Sequence, residues 1–348
     1  MRTIWWDKGK VYLINQRELP TRLEYVECGE PSRLLSAIKN LEIRGAPAIG
    51  VAAAMTLALA ANNSEVVGKE ELLEELEECA KMVRKTRPTA WNLFWATDRI
   101  LHLAQTTPGV AEDVRRTVIK AALAIAEEDV INNRAIGTNG ATLLEDGDVV
   151  GTICNAGWLA TAGEYGTALG VVKVAHEQGK KISVIALETR PVLQGARLTA
   201  FELRQDGIEV KVIPDGAIGY CLSKGMIDKF ICGADRIVWS SGCHVFNKIG
   251  TLVVSVVTSR YHVPFYVAAP FSTFDFEQRL EDVVIEERDQ NEVAVINGWR
   301  IVPDGVAVIN PAFDVTPPEL VSAIITERGI IYPPFKENLR AYVKSSHR

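Results

Sequence analysis

The chain lacks the signatures of several large functional classes. It contains no G-x-x-x-x-G-K-[ST], no G-x-G-x-x-G opening a helix and no H-E-x-x-H, so nucleotide hydrolysis on a phosphate loop and zinc proteolysis have no support. Gly163, Gly166 and Gly170 enter a helical stretch at a spacing too irregular for a dinucleotide fingerprint. Cysteine is sparse: Cys28, Cys79, Cys154, Cys221, Cys232 and Cys243 are scattered over 348 residues with no close C-x-x-C pair. That is neither the framework of a small disulfide-stapled domain nor a zinc signature, even with His244 beside Cys243, so reduced thiols and no metal or cofactor are expected. Basic charge is also short, with 38 Lys and Arg against 44 Asp and Glu for a net charge of -6. A general nucleic-acid surface is thereby disfavoured, while a local basic pocket for a small anion remains open. No apolar run reads as long and uninterrupted enough to span a bilayer, and MRTIWWDKGK has no apolar run with a cleavage site behind it. A cytoplasmic protein without membrane or nucleic-acid partners is the expectation.

What is present is ordinary globular material, 47% hydrophobic and 24% charged, in a chain longer than one core usually serves. Ile4 to Trp6 and Val11 to Ile14 flank Asp7-Lys8-Gly9 and predict a hairpin. Helical patterns follow at Leu34 to Leu41, Ala48 to Ala61, Lys69 to Lys85, Trp91 to Ala104 and Val110 to about Asn133. From Val149 the pattern changes. Short β-branched runs (Val149 to Ile153, Ile182 to Leu187, Val210 to Ile213, Phe230 to Cys232, Phe265 to Ala268, Val306 to Ile309) alternate with helical stretches (Thr167 to Gln178, Arg197 to Gln205, Tyr220 to Lys224, Thr251 to Tyr261, Glu319 to Glu327). The predicted class is α/β: a mainly helical domain with a small β-hairpin over 1–135, then a Rossmann-like parallel-sheet domain over 136–348. Ligands of such sheets bind beyond the carboxyl ends of the strands.

Candidate chemistry sits at those ends and at helix entries. Arg44-Gly45-Ala46-Pro47 precedes a long apolar helix, with Pro47 suited to its first turn, so free N–H groups and a guanidinium can hold a phosphate; a tight helix entry with a solvated arginine is the plain alternative. Arg87-Pro88-Thr89 repeats the theme with Thr89 as a possible N-cap. Cys154 follows one predicted strand and Asp235 another, so a thiol and a carboxyl can meet one ligand; a buried inert cysteine and a turn-capping Asp would look the same. Asn247-Lys248 offers an amide and an ammonium before a helix, and Glu188-Thr189-Arg190-Pro191 with Gln194-Gly195-Ala196-Arg197 adds polar groups after a further strand, although salt bridging would explain its arginines equally well.

These segments, in this order, together with Pro264 to Pro270 and Asn310 to Pro317, resemble the methylthioribose-1-phosphate isomerase family, whose fold is shared by ribose-1,5-bisphosphate isomerase and by regulatory subunits of the translation initiation guanine-nucleotide exchange factor. The resemblance implies Cys154 and Asp235 as the catalytic pair. It implies Arg44, Gly45, Ala46 and Arg87 as phosphate-holding residues, Gln194, Asn247 and Lys248 as partners of substrate polar groups, a sugar phosphate as substrate, a homodimer, and a place in methionine salvage. Departures from the family pattern fall at Ser241 to Phe246, at Asp215-Gly216-Ala217 and at Glu164, and bear on substrate identity. An isomerase of another aldose 1-phosphate (ribose 1,5-bisphosphate or 5-deoxyribose 1-phosphate) and a non-catalytic regulatory subunit are the alternatives.

Overall fold

The hairpin forms where the turn residues place it. In the computed structural model, which describes the backbone of residues 1–345 and the side chains of residues 1–340, β1 (Ile4–Asp7) and β2 (Lys10–Ile14) pair antiparallel with Asp7 opposite Lys10. Lys8 and Gly9 both take positive φ, 48° and 78°, the turn geometry that matches strand twist. A third strand not anticipated from the sequence, β3 (Tyr25–Cys28), pairs with the other edge of β2.

Five helices follow: α1 (Pro31–Lys39), α2 (Ala46–Asn63), α3 (Lys69–Thr86), α4 (Trp91–Thr106) and α5 (Ala111–Ala141). In α3 the buried residues are Leu72, Leu76, Cys79, Ala80 and Val83, a stripe at helical spacing on an otherwise charged helix. α2 is different, with alanines and branched residues buried almost all round, and it packs against α1, α3 and α4. By length and composition α2 could cross a membrane, which corrects the sequence-based statement that no run is long enough; yet 72% of it is buried inside the fold, as in the core helix of a globular protein.

Two compact units emerge, one of Met1–Arg134 with Ala156–Gly166, the other of Ala135–Asn155 with the chain from Thr167 onward. The partition is thus not contiguous. The segment Ala156–Gly166 joins the first unit because it pairs with the N-terminus: Thr3 donates its N–H to the Ala162 carbonyl at 2.9 Å, and Glu164 donates to that of Met1 at 2.8 Å. The Ala162 N–H in turn donates to the Asp129 carboxylate of α5 at 2.7 Å.

The second unit is built on seven strands in the order β16-β15-β10-β7-β4-β5-β6, namely β4 (Val149–Thr152), β5 (Ser183–Leu187), β6 (Glu209–Ile213), β7 (Lys229–Cys232), β10 (Phe265–Ala268), β15 (Ala323–Thr326) and β16 (Gly329–Ile331). All neighbours are parallel except β15 with the edge strand β16. Between them run α6 (Ala168–Glu177), α7 (Ala200–Gln205), α8 (Ile218–Ser223) and α9 (Thr251–Arg260). A smaller sheet in the order β11-β8-β9-β14 joins β8 (Arg236–Val238), β9 (His244–Lys248), β11 (Phe274–Asp275) and β14 (Phe313–Thr316). The remaining elements are α10 (Asn291–Ala294), the hairpin of β12 (Val295–Ile296) and β13 (Trp299–Arg300), and α11 (Phe335–Ser345). The C-terminal part of α5 presses on α6, where a Cβ on Gly137 would lie 2.7 Å from the Gly170 carbonyl oxygen, so only glycine fits there.

Two predicted elements do not form. Val306 to Ile309 is no strand but an exposed segment, with Ile309 83% accessible. The stretch expected as a helix, Glu319 to Glu327, instead supplies the fully buried strand β15 after a short 3-10 turn at Pro318–Leu320. Ala323 to Thr326 is a short apolar run in which periodicity cannot separate a buried helix from a buried strand, and pairing on both edges with β10 and β16 decides for the strand.

Candidate active site

Chain order along the six parallel strands reads 3-2-1-4-5-6 from β6 to β15, so successive connections run outward in opposite directions from β4 and β7. Between those two strands lies the switch point at which open α/β sheets form their ligand crevice. Cys154 stands two residues beyond β4 and Asp235 three residues beyond β7, and the strands are in register with Gly151 opposite Phe230. Gln194 follows the next strand out, β5, and is buried with its Oε1 lacking any hydrogen-bond partner. Beneath this edge the Cys232 thiol is pushed well above the usual thiol range, first by burial and then by the neighbouring charges of Cys154, Asp314 and Asp235.

The main chain at Cys154 is unusual. Its φ is 65°, in the left-handed region that disfavours any residue with a Cβ, and Thr189, which contacts it, has φ 64° although β-branched. The Cys154 N–H donates to Thr189 Oγ1 at 2.8 Å, and Thr199 Oγ1 donates to the Cys154 carbonyl at 2.7 Å. Strain of this kind costs on the order of 1–3 kcal/mol, and two buried hydroxyl bonds at about 1 kcal/mol each offset much of it. The neighbouring Asn155 is anchored as well, its Nδ2 donating to the buried Glu202 Oε1 at 2.7 Å. Thr199 belongs to a π-helical turn, Gly195–Thr199, that runs into α7 in place of the regular helix expected from Arg197.

Asp235 is joined to the smaller sheet by its N–H, which donates to the Phe246 carbonyl of β9 at 2.9 Å, and Asn247 and Lys248 are the next two residues of that strand. Asn247 Nδ2 donates to Thr251 Oγ1 at 3.0 Å, and the Thr251 hydroxyl donates to the Lys248 carbonyl at 2.6 Å. The Lys248 ammonium lies 5.0 Å from the centre of the Phe313 ring. At the start of α9 the N–H groups of Gly250 and Leu252 are taken by the Asp314 carboxylate, at 2.7 and 3.1 Å. An anion therefore does not sit on those two amides, and the chemistry of β9 toward one falls to Asn247 and Lys248. Burial pushes Asp314 up to about 6, against the pull of these two amides and Lys248.

In the first unit the helices that follow the two arginine segments pack together. α2 begins at Ala46 with Gly45 as its N-cap, and no side chain caps it. Gly45 has φ 99°, and a Cβ there would lie 2.4 Å from the Ala160 Cα, so both conformation and space require glycine. α4 begins at Trp91 with Ala90, not Thr89, as N-cap. The second turn of α2 meets the first turn of α4, since a Cβ on Gly50 would lie 3.0 Å from the Asn92 carbonyl oxygen. Arg44, Gly45 and Ala46 stand at the entry of α2 and Arg87 between α3 and α4 in the first unit, while Cys154, Gln194 and Asp235 follow strands of the second and Asn247 and Lys248 end β9.

Several polar groups of the sequence are structural. Glu164 pairs with Arg2 at 2.9 Å and fastens the N-terminus. Asp215 accepts the N–H groups of Thr189 and Arg190 at 2.8 and 2.7 Å, while at Gly216 an added Cβ meets nothing. Arg190 donates to the carbonyls of Pro191 and Val293, and Arg197 to that of Val192. Cys243 is buried at the turn into β9, its thiol pushed up to about 12. Among the described residues no three His, Cys, Asp or Glu side chains are grouped to hold a metal ion. Thr199, Glu202 and Asp314 were not legible as site residues: the first two read as ordinary helix, and Asp314 stood only inside the segment Asn310 to Pro317.

Residues 42–333 match the Initiation factor 2 subunit family, and the chain belongs to that family. Within it, relatives similar along nearly the whole length include isomerases. The chain is 50% identical over 341 residues, 97% of this chain and 98% of the relative, to the methylthioribose-1-phosphate isomerase of Desulforamulus reducens. A solved structure of 5-methylthioribose 1-phosphate isomerase from Pyrococcus horikoshii OT3 shares 43% identity at a TM-score of 0.90, covering 99% of this chain and 96% of that one. A second solved structure, described as the translation initiation factor eIF-2B, subunit delta, from A. fulgidus, shares 51% identity at a TM-score of 0.87, covering 99% of each.

Proposed function

We propose that this chain isomerises an aldose 1-phosphate to the ketose 1-phosphate, with 5-methylthioribose 1-phosphate as substrate, as in methionine salvage. The observation that carries the reading is the placement of Cys154 and Asp235 just past the ends of adjacent central strands, at the switch point of the sheet. The names of the relatives support the substrate. Phosphate is held by Arg44 and Arg87 at the entries of α2 and α4, and Gln194, Asn247 and Lys248 take the polar groups of the substrate.

The substrate is a closed furanose, so the ring must open. Asp235 gives its proton to the ring oxygen as the bond from C1 breaks, and the Cys154 thiolate takes the hydrogen of C2 as a proton. The electron pair left behind forms the C1–C2 double bond of an enediol-like intermediate that keeps the phosphate on C1. Cys154 then returns the proton to C1, and the C2 hydroxyl yields its own to Asp235, leaving the ketone. Atoms and charges balance without an oxidant or reductant. Acid or base groups each supply typically about 10²- to 10⁴-fold. Water exclusion protects the intermediate and strengthens the local electrostatics.

The purified protein, assayed with methylthioribose 1-phosphate, ribose 1,5-bisphosphate and 5-deoxyribose 1-phosphate, should turn over the first fastest. Cys154→Ser and Asp235→Asn should each fold, bind the sugar phosphate and lose at least about 10²-fold in kcat. Near-normal turnover in either variant demotes that residue to a structural role. One observation favours a second reading, a regulatory subunit without catalysis: the description of the A. fulgidus structure. Absence of turnover on every pentose phosphate, together with capture of a stable partner subunit, would establish it. We read the protein as a cytoplasmic homodimer; sedimentation at the mass of a single 38.2 kDa chain would refute the dimer.

A further inference from the structure

We propose that Thr189 and Thr199 are positioning residues, a pair of hydroxyls that hold the main chain of Cys154 in its left-handed turn and thereby fix where the thiol points. The inference rests on the catalytic assignment of Cys154 made above. The two side chains come from separate places, the loop after β5 and the π turn before α7, and both are fully buried. They grip the cysteine on either side: its N–H donates to one hydroxyl and its carbonyl accepts from the other.

Each hydroxyl is fully committed. Thr189 accepts from Cys154 and donates to the Leu187 carbonyl at 3.0 Å, while Thr199 donates to Cys154 and accepts from Asn155 Nδ2 at 3.3 Å. Neither has a rotor left to choose, and branching at Cβ stiffens both side chains. The clamp is itself braced. Asp215 holds the Thr189 main chain, and Glu202 holds Asn155 on the other side. Released from these bonds, Cys154 would relax toward an ordinary extended or helical φ, which turns its Cα–Cβ bond to a different direction. A thiol that must reach one hydrogen on a bound sugar tolerates no such rotation, because misplacement by about 1 Å can cost about 10²-fold.

The test uses the full chain with Thr189→Val and Thr199→Val, which keep shape and lose the hydroxyl, beside Thr189→Ser and Thr199→Ser, which keep it. Two quantities are read: kcat and KM on methylthioribose 1-phosphate, and the pH-dependent rate at which iodoacetamide alkylates Cys154, followed by mass spectrometry of its peptide. Each valine variant should lower kcat by at least about 10-fold with KM within about twofold, and should change the alkylation rate by at least about threefold. The serine variants should return both to near the wild-type values. Valine variants with wild-type kcat and alkylation overturn the clamp, as do serine variants that lose as much as valine. If valine prevents folding, alanine takes its place, and equal activity of alanine and serine overturns the proposal. Should the wild type turn over no sugar phosphate, the isomerase reading falls while alkylation still judges the clamp.

Discussion

Gly45→Ala tests the phosphate-side geometry most directly, because its cost can be worked from two separate terms. The new Cβ would sit 2.4 Å from the Ala160 Cα, 2.5 Å from its carbonyl oxygen and 2.6 Å from its Cβ, where ordinary carbon contacts are about 3.5–4.0 Å. Ala160 is main chain in a buried 3-10 turn and cannot swing aside as a long side chain would. Overpacking of this kind costs on the order of 1–3 kcal/mol, and holding a Cβ residue at φ 99° costs on the order of 1–3 kcal/mol more. A loss of about 4 kcal/mol is a large part of the 5–15 kcal/mol that typically holds a protein folded. Gly147→Ala is the matched control: its φ is 91°, but an added Cβ meets nothing within 4 Å, so only the conformational term applies. Urea unfolding of both variants should separate them, and KM for the sugar phosphate should rise at least about 10-fold in Gly45→Ala alone as the entry of α2 shifts. Equal stability losses in the two variants, or an unchanged KM in Gly45→Ala, would refute the reasoning.

Burial pushes Asp129 up to about 6, above its unfolded value of 3.8, so its stabilising contribution is complete below about pH 4 and is lost as pH rises through about 6. Asp129→Asn should therefore flatten the pH dependence of unfolding by up to about 3 kcal/mol across that window, with Asp314 and Glu327, both raised by burial, contributing to the remaining slope; parallel curves for wild type and variant would show the carboxyl to be unperturbed. Gln194→Leu should leave stability within about 1 kcal/mol, since its orphaned buried Oε1 gains nothing in the free protein, yet raise KM about 10-fold; wild-type kinetics would remove Gln194 from the site. Turnover should survive exhaustive chelation, and a loss restored by zinc would revive Cys221, Cys232, Cys243 and His244 as a metal group.

Much of this protein is written locally. Turn residues Lys8-Gly9, the apolar stripe of α3 and the alternation after Val149 specify hairpin, helices and parallel strands, because dihedral preference and side-chain periodicity act over a few residues. The order of motifs, with Cys154 and Asp235 each just past a strand, was legible for the same reason. Tertiary structure decided the rest. Only the strand order makes β4 and β7 neighbours and so gathers residues some eighty positions apart, as their register shows with Gly151 opposite Phe230. Ala323 to Thr326 became a strand because two partners compete successfully with its local pattern. No property of cysteine or threonine announces φ near 65° at Cys154 and Thr189: that conformation is disfavoured for each alone, and persists where hydroxyls and carboxylates remote in sequence satisfy the main chain that adopts it.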